Sequence, residues 1–460
     1  MSQSDPIFTG KPAHDGGDVA IALVSIARPT FDTTLAEAIT AKARTQLAGA
    51  GFTVTGPQEL VSSLAEAKAA ALNLKDTLPD LLLVLQSTFA DSSIVMELSQ
   101  NVDAPLLLWA IPEESTGGRL RLNSLCGINL AAHALTRAQH QYDTLYTMPD
   151  DSSALDQIKA LALAGRVKRR LRQARLGRLG EQPAGFETCN FDPDALKHTF
   201  GLEVVQIDLP DFFRRVKAVD GREVEPVAQE VGRVLGNLAE LDQTATRGTL
   251  STYVALRQLV QQQHLDGLAV RCWPEFFTEL GCAACGAMSL LSHNLTPCSC
   301  EADVNGAITQ LILQWLSGEP AFGSDLVAVD EKYGGLVLWH CGLAPLSMAD
   351  PAVKPRGTIH SNRNLPLLME FTLKPGRVTI ARLSEATGAL RLVIGGGDII
   401  QAPASFSGTS GVLRFDRPVR QVLDAILSEG LEHHLSITYG DHGPALAALA
   451  RMVNIPVLRL

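Results

Sequence analysis

The sequence predicts an α/β protein with two consecutive α/β domains followed by a β-rich domain. The chain of 460 residues is longer than one hydrophobic core usually serves, which favours two or three domains. Apolar strand-like runs alternate with helical patterns over its first two thirds. Short strands separated by glycine and proline turns fill the last third. We find no repeat of fixed period, which argues against a solenoid or a propeller.

The first domain is predicted over residues 1–145. Residues 19–27 form a buried strand, and residues 33–51 form an amphipathic helix that ends at a glycine. Two continuous apolar strands follow at 78–87 and 104–112. Such runs, interleaved with helices, are typical of a parallel sheet covered on both faces.

The second α/β domain is predicted over residues 146–317. It starts with an arginine-rich helical stretch at 154–177. A basic binding helix is one interpretation, but the rest of the chain is acidic, which favours a solvated linking helix. Residues 192–201 have an aspartate at the helix start and a glycine at its end. Strands are expected at 202–209 and 266–273.

The third domain is predicted over residues 318–460. Strand patterns with glycine and proline turns indicate an antiparallel sheet or a small barrel. A helix at 443–454 and a strand at 455–460 close the chain.

Composition limits the class of protein. Apolar residues make up 46%, charged residues 19%, and the net charge is −10, which is typical of a globular protein. A chain this acidic is a poor candidate for sequence-independent nucleic-acid binding. No apolar run reaches the length of a membrane span. The first eighteen residues are polar and lack the apolar stretch of a signal peptide. We therefore expect a cytoplasmic protein with reduced cysteines.

Four closely spaced cysteines suggest one possible metal site. Cys282 and Cys285 are followed by Cys298 and Cys300, and four thiolates could hold a structural zinc ion. The second pair has only one residue between its members, however, and the segment between the pairs resembles an ordinary helix and loop. Four small buried residues are therefore the favoured interpretation.

Carboxylates and histidines suggest another site. Glu301 lies just before a predicted helix, where a negative charge is favourable without any chemistry. Asp325 follows a Gly-Ser pair, and His433 and His434 lie near a late strand. Alone, Asp325 could be a turn residue and His434 a core histidine. Together with Glu301 they fit a divalent-metal site with open positions.

Three passages resemble the L-fucose isomerase / L-arabinose isomerase superfamily, and the resemblance follows nearly the whole chain in order. It is tightest over residues 268–345 and 430–458. The first passage begins TFADSSIVMELSQNVDAPLLLWAIPE. The second begins RCWPEFF and continues through CEADVNGAITQLIL to FGSDL. The third begins HHLSITYGDHGPALAALARMVNIPV. The fold implied by the resemblance is two Rossmann-like α/β domains followed by a C-terminal, mostly antiparallel β-barrel.

The resemblance also implies roles for individual residues. Glu301, Asp325 and His434 correspond to the family's metal ligands, and Asp303 is expected behind them, in contact with a ligand. His340 lies near the place of a further histidine in the arabinose branch and is expected to contact substrate.

The remaining candidates are expected around the substrate or, for His442, behind the residues that contact the metal and the substrate. The compact RCWPEFF passage suggests that Trp273 and Glu275 mark a distinct substrate pocket. His442 and Asp441 are expected to face the site, with a surface turn as the alternative.

The family resemblance implies a homo-oligomer, a hexamer or a trimer. Substrate contacts would then cross between subunits, and Asn123 and His133 are candidates for such contacts. Loop capping and a surface helix are the alternatives for these two residues.

The function implied is a metal-dependent aldose–ketose isomerase that acts on a monosaccharide by ene-diol proton transfer. Glu301 and Asp325 would be both ligands and the acid–base pair, with His434 as the neutral ligand. Such ligands suit Mn²⁺ best, and also Mg²⁺ or Co²⁺. A sugar-binding or regulatory protein and a metal-dependent sugar epimerase are the alternatives, because an epimerase begins with the same deprotonation.

Overall fold

The structure, a computed structural model, describes residues 19–460. The first eighteen residues, where we expected no signal peptide, lie outside the described residues. The chain divides into two compact units, of which the first ends at Arg170 and the second contains Leu171–Leu460. None of the helices within residues 19–460 has the length and apolar character needed to cross a membrane.

The first unit contains a five-stranded sheet in the order β2-β1-β3-β4-β5, and all four pairings are parallel. Its strands are β1 (Ala20–Ile26), β2 (Thr53–Thr55), β3 (Leu81–Gln86), β4 (Leu106–Ala110) and β5 (Asp143–Tyr146). Its helices are α1 (Thr33–Gly49), α2 (Leu64–Leu74), α3 (Ser92–Asn101), α4 (Ser124–Arg137) and α5 (Ser152–Leu171). Every residue of β3 and β4 is buried, as expected for continuous apolar strands between two helical layers.

The arginine-rich helix α5 differs from the solvated linking helix that we expected over 154–177. One face is buried, and Arg166 and Arg169 pair with the buried carboxylate of Asp80. The helix ends at Leu171, because the next residues enter a strand that pairs with two neighbours. These non-local backbone pairings outweigh local helix propensity.

The second unit begins with a four-stranded parallel sheet in the order β7-β6-β8-β9. Its strands are β6 (Arg175–Leu179), β7 (Glu203–Ile207), β8 (Gly267–Val270) and β9 (Cys298–Ser299). The accompanying helices are α6 (Pro193–Phe200), α7 (Leu209–Ala218), α8 (Gly221–Leu235), α9 (Gln243–Gln263), α10 (Glu275–Glu279), α11 (Cys285–His293) and α12 (Val304–Ser317).

A closed barrel of six antiparallel strands follows in the order β10-β11-β16-β15-β14-β17. Its strands are β10 (Phe322–Asp330), β11 (Gly335–His340), β14 (Gly376–Ser384), β15 (Arg391–Ile400), β16 (Thr409–Phe415) and β17 (His434–Tyr439). The additional elements are β12 (Arg356–Thr358), β13 (Leu368–Thr372), α13 (Val419–Ser428), α14 (Gly443–Met452) and β18 (Val457–Arg459). Pairing of β15 with β16 closes the ring, so the small barrel that we expected is confirmed.

Helix α12 connects the parallel sheet to the barrel and is buried along almost its whole length. It packs on β8 and β9 of the sheet and on β14 and β17 of the barrel. Both parts also contribute to one hydrophobic core. Each fully buried leucine of α12 contributes roughly 1.5–3 kcal/mol to stability, so the turn that precedes this helix is held on a rigid element.

Replacing Gly306 by alanine tests how tightly the start of α12 is packed. An alanine Cβ at this position would lie 2.4 Å from Asp303 Oδ2 and 3.0 Å from an Arg382 nitrogen. We expect Gly306→Ala to lower the free energy of unfolding by about 1–3 kcal/mol, the usual effect of overpacking. Urea denaturation measures the change.

The matched control is Gly232→Ala in α8, where the new Cβ would have its nearest neighbour at 3.7 Å. This variant should gain about 0.5–1 kcal/mol from helix propensity. Equal stabilisation by both substitutions would contradict the close packing of α12 onto Asp303.

Candidate metal centre

Two acidic residues lie in the turn between β9 and α12. Glu301 and Ala302 both adopt left-handed backbone, with φ of 58° and 54°, which costs roughly 1–2 kcal/mol for each residue with a Cβ. Asp303 then caps α12, since its Oδ1 accepts a hydrogen bond from the Gly306 amide at 2.9 Å. The turn therefore fixes the two carboxylates on a buried helix start.

Two barrel strands supply a carboxylate and an imidazole. Asp325 on β10 is the direct cross-strand partner of His434 on β17. Directly opposed residues of an antiparallel pair point to the same face of the sheet. His434 Nε2 lies 3.5 Å from Asp325 Oδ1 and 3.9 Å from Glu301 Oε2. Both carboxylates predicted as metal ligands thus lie close to the predicted histidine ligand.

The other nitrogen of His434 is fixed by Asp303. His434 Nδ1 lies 2.9 Å from Asp303 Oδ2, so this nitrogen is protonated and donates a hydrogen bond to the carboxylate. In the neutral ring, the Nε2 lone pair is then directed toward Asp325 and Glu301. A metal-binding histidine commonly donates its second nitrogen to a carboxylate in this way. Asp303 therefore contacts the predicted ligand His434, and its role behind a metal ion stays a prediction.

Arg382 on β14 stabilises the charge of Asp303. Both side chains are buried, and the guanidinium forms an ion pair with Asp303. Burial alone would raise the pKa of Asp303, but the Arg382 charge and the His434 hydrogen bond hold it well below its usual range. Asp303 is therefore ionised and able to hold the imidazole. Arg382 also donates to the Thr188 carbonyl at 3.3 Å and lies 3.6 Å from Glu432.

One oxygen of Asp325 suits a bound cation. Asp325 Oδ1 is buried and has no hydrogen-bond partner among the described residues. Burying an unpartnered carboxylate oxygen is costly, whereas a divalent ion would satisfy it. Glu301, Asp325 and His434 offer two carboxylates and one imidazole, a donor set suited to Mn²⁺ or Mg²⁺. The residues present therefore fit a divalent metal.

A second group of potential ligands does not suit a metal as well. Cys189, Asp303 and His434 have ligand atoms within 4.8 Å of one another. Burial, followed by the nearby carboxylates Asp303 and Glu301, raises the pKa of the Cys189 thiol far above its usual range. Asp303 is already engaged by Arg382, Gly306 and His434. A protonated thiol and an occupied carboxylate are poor ligands.

Glu301 has two further partners. Trp273 Nε1 donates to Glu301 Oε1 at 3.0 Å, and His433 Nε2 lies 3.0 Å from Glu301 Oε2. Burial would raise the pKa of Glu301, but the His433 hydrogen bond, the His434 charge and the Trp273 hydrogen bond lower it. His433 in turn contacts Thr188 Oγ1 at 2.8 Å. Sequence reasoning assigned no role to His433, and its place next to His434 was the available signal.

The candidate metal centre borders a cavity of about 200 Å³. The space is smaller than the roughly 300–1,000 Å³ of drug-sized sites. Trp273, His340, Glu301, Asp325 and His434 all line it. His340 accepts the Cys341 amide at Nδ1, 2.9 Å away, which leaves Nε2–H as a donor. A small polyhydroxylated ligand suits these walls.

Comparison with known proteins decides the family. Residues 22–172 match the family model for the N-terminal domain of fucose/sulfoquinovose isomerases, and residues 369–460 match that for the C-terminal domain of L-fucose isomerase. The sulfoquinovose isomerase of Alkalicoccus urumqiensis is 31% identical over 96% of this chain and 99% of its own length. That of Priestia aryabhattai is 32% identical over 95% of this chain and 98% of its own.

This chain belongs to the fucose isomerase-like family. The sulfoquinovose isomerase of Clostridium sp. (strain MSTE9) is a further relative, 29% identical over 95% of this chain and 98% of its own length. Membership makes the protein an aldose–ketose isomerase, and the sequence prediction of that reaction class is confirmed. The sugar-binding alternative is not supported.

Other predicted residues of this fucose isomerase-like protein lie elsewhere. Glu275, at the start of α10, forms an ion pair with Arg271 at 2.7 Å and does not line the cavity. His442 begins α14, with Nε2 3.1 Å from the Tyr439 carbonyl. Asp441, next to it, is exposed. The predicted role of Glu275 at the substrate, and those of His442 and Asp441 beside the site, stay predictions.

In the first unit, Asn123 precedes α4 in a left-handed conformation, and its side chain forms no helix cap. It lines a separate cavity in that unit with Tyr146. His133 is exposed on α4. The predicted contacts of Asn123 and His133 across subunits stay predictions.

The cysteines of the zinc hypothesis do not come together. Within residues 19–460, no group of three or more close ligand atoms contains Cys282, Cys285, Cys298 or Cys300. Cys300 instead lies 2.8 Å from Cys272 and Cys285 lies 3.2 Å from Cys341, sulfur to sulfur. Burial raises the pKa of Cys282 to about 11, which disfavours a thiolate. The structure supports the interpretation as small buried residues.

Replacing Arg382 by methionine tests the buried ion pair. The change leaves Asp303 as an uncompensated buried charge, and removing one partner of such a pair typically costs about 3–5 kcal/mol. We therefore expect Arg382→Met to lower the free energy of unfolding by that amount in guanidinium denaturation.

The control is Arg391→Met, whose partner Glu429 has a side chain that is 39% exposed. Loss of that more solvated pair should cost about 1 kcal/mol or less. Similar losses in both variants would show that Asp303 does not depend on Arg382.

Proposed function

We propose that this isomerase is metal-dependent and converts sulfoquinovose to its ketose by ene-diol proton transfer. The observation that carries the metal dependence is that Glu301 Oε2 and Asp325 Oδ1 lie 3.9 Å and 3.5 Å from His434 Nε2. Asp325 Oδ1 is also buried without a hydrogen-bond partner among the described residues. Mn²⁺ is the metal that we expect, since hard carboxylate oxygens with one imidazole suit it.

The proposed substrate rests on the relatives. Proteins named sulfoquinovose isomerase align with 95–96% of this chain at 29–32% identity. Sulfoquinovose is an aldose derived from glucose that carries a sulfonate in place of the C6 hydroxyl. Its ketose isomer differs only at C1 and C2, so the chemistry concerns one end of the molecule.

The protein's own residues would act as the acid–base pair. A divalent ion, when bound, would offset the negative charge that develops on the sugar oxygens. Glu301 and Asp325 flank His434, and one carboxylate takes the proton from C2 while the other returns a proton to C1. The hydrogen bonds from Trp273 and His433 keep Glu301 ionised and oriented.

The walls of the cavity would support this transfer. His340 and His434 stack with ring centroids 6.2 Å apart, and His340 is buried. Burial lowers the pKa of His340 and outweighs the opposing effect of the Asp325 charge, so a neutral ring offers its N–H to a sugar hydroxyl.

Three finer parts of the sequence prediction remain proposals that the family resemblance supports. They are the Rossmann-like character of the two α/β regions, the division at residues 145 and 317, and assembly into a hexamer or trimer. Sedimentation equilibrium of the full chain measures the last of these directly.

Removal of the metal tests the first part of the proposal. After EDTA treatment and dialysis, we expect the protein to lose isomerisation of sulfoquinovose, because nothing offsets the developing charge. Added Mn²⁺ should restore it, with Mg²⁺ and Co²⁺ as comparisons, and proton NMR identifies the ketose. Undiminished turnover without metal would refute the metal dependence. A C2 epimer as the product would favour the epimerase alternative.

Replacing Glu301 by glutamine tests the acid–base assignment. The amide keeps an oxygen acceptor for Trp273 but cannot take a proton, so kcat should fall roughly 10²- to 10⁴-fold. Thermal unfolding should stay near that of the wild type. Glu370→Gln is the control, since Glu370 lies on β13 and bonds Ser407 outside the cavity. Normal kcat in Glu301→Gln would refute the assignment.

A further inference from the structure

The cavity has an acidic end and a basic end. Glu301 and Asp325 lie at the candidate metal centre. Of the described residues that line the cavity, Arg363 alone carries a permanent positive charge. A ligand that binds a metal ion with its hydroxyls and also carries an anionic group would match both ends.

Arg363 is held over two aromatic rings. Its guanidinium carbon lies 4.8 Å from the centre of the Trp273 ring and 5.2 Å from that of Phe277. Stacking on aromatic faces orients a guanidinium while leaving its N–H groups in the plane free to donate. Trp273 also donates to Glu301, so one indole links the basic end of the cavity to the candidate metal ligand.

No acidic side chain neutralises Arg363 within the part of the chain that the structure describes. Its closest polar side-chain contact is His360 Nε2, at 3.3 Å from a guanidinium nitrogen. Burial, followed by the charge of Arg363, lowers the pKa of His360 to about 4, so the imidazole is neutral. Arg363 therefore faces the cavity as an uncompensated cation.

Asn362 adds a second donor beside Arg363. Asn362 also lines the cavity, and its backbone amide lies 3.2 Å from His360 Nδ1. A guanidinium and an amide next to each other suit a tetrahedral oxyanion, because each can donate to a different oxygen.

We propose that Arg363, assisted by Asn362, binds the sulfonate group of the substrate and selects sulfonated over neutral sugars. This inference rests on the proposed function. A sulfonate is a monoanion with three acceptor oxygens, and a guanidinium can bond two of them at once. A neutral sugar would leave the guanidinium facing the ligand without a partner, which disfavours its binding.

The experiment compares sulfoquinovose with 6-deoxyglucose, the same sugar without the sulfonate. The measured quantity is the ratio of kcat/KM for the two substrates. In Arg363→Gln this preference should fall about 100-fold, the scale of losing one partner of a charged contact. Arg363→Lys keeps a cation without the planar fork and should restore part of the preference.

Arg356→Gln is the matched control. This arginine is exposed on β12 and does not line the cavity, so its replacement should leave the preference unchanged. Calorimetric titration of the stripped variants with Mn²⁺ shows whether the metal centre survives. Propane-1-sulfonate should inhibit the wild type and propan-1-ol should not, which gives a measurement that needs no variant.

The outcomes separate this inference from the proposed function. If the wild type isomerises sulfoquinovose and Arg363→Gln keeps the full preference, the role of Arg363 is refuted and the proposed function stands. If the wild type isomerises only neutral sugars, both are refuted. If glucose 6-phosphate is the better substrate and Arg363→Gln loses it, the site binds phosphate and the sulfonate assignment is refuted.

Discussion

The hydrogen bond from His434 Nδ1 to Asp303 is the interaction on which the rest of the site depends. It joins the start of α12 to barrel strand β17, between residues 131 positions apart. It also decides which nitrogen of the ring is free. Without an ionised Asp303, the neutral ring could carry its proton on Nε2 instead. It would then present an N–H donor, and not a lone pair, to Glu301 and Asp325. Arg382, buried beside Asp303, keeps that carboxylate charged and so preserves the arrangement.

The site could be predicted in part because its ligands lie beside recognisable elements. Glu301 precedes a helix, Asp325 lies in a strand, and His434 starts another strand. The three were connected because the passages that contain them occur in the same order as in the family that the chain resembles. Arg382 could not be found in this way, since within β14 it looks like an ordinary strand residue. Its importance comes from a charge contact with a distant segment. Arg363 was missed for the same reason, because the rings beneath it come from residues 273 and 277.

The fold was predictable where local pattern and tertiary environment agree. Buried parallel strands such as β3 and β4 are continuous apolar runs, so periodicity finds them. Local pattern failed at the end of α5, where strand pairing of β6 replaces the last part of the predicted helix. It also left open whether the last third is an open sheet or a barrel, since closure depends on the register between β15 and β16. The four cysteines show that spacing in sequence does not establish proximity in space.

The left-handed backbone at Glu301 has a consequence for how this protein can change. Glycine or asparagine would suit that conformation better than glutamate. The backbone and the chemistry therefore place opposite demands on one position. Selection for heat tolerance alone would favour Glu301→Gly, a substitution that relaxes the turn and removes a candidate ligand. At this position the enzyme would exchange activity for stability.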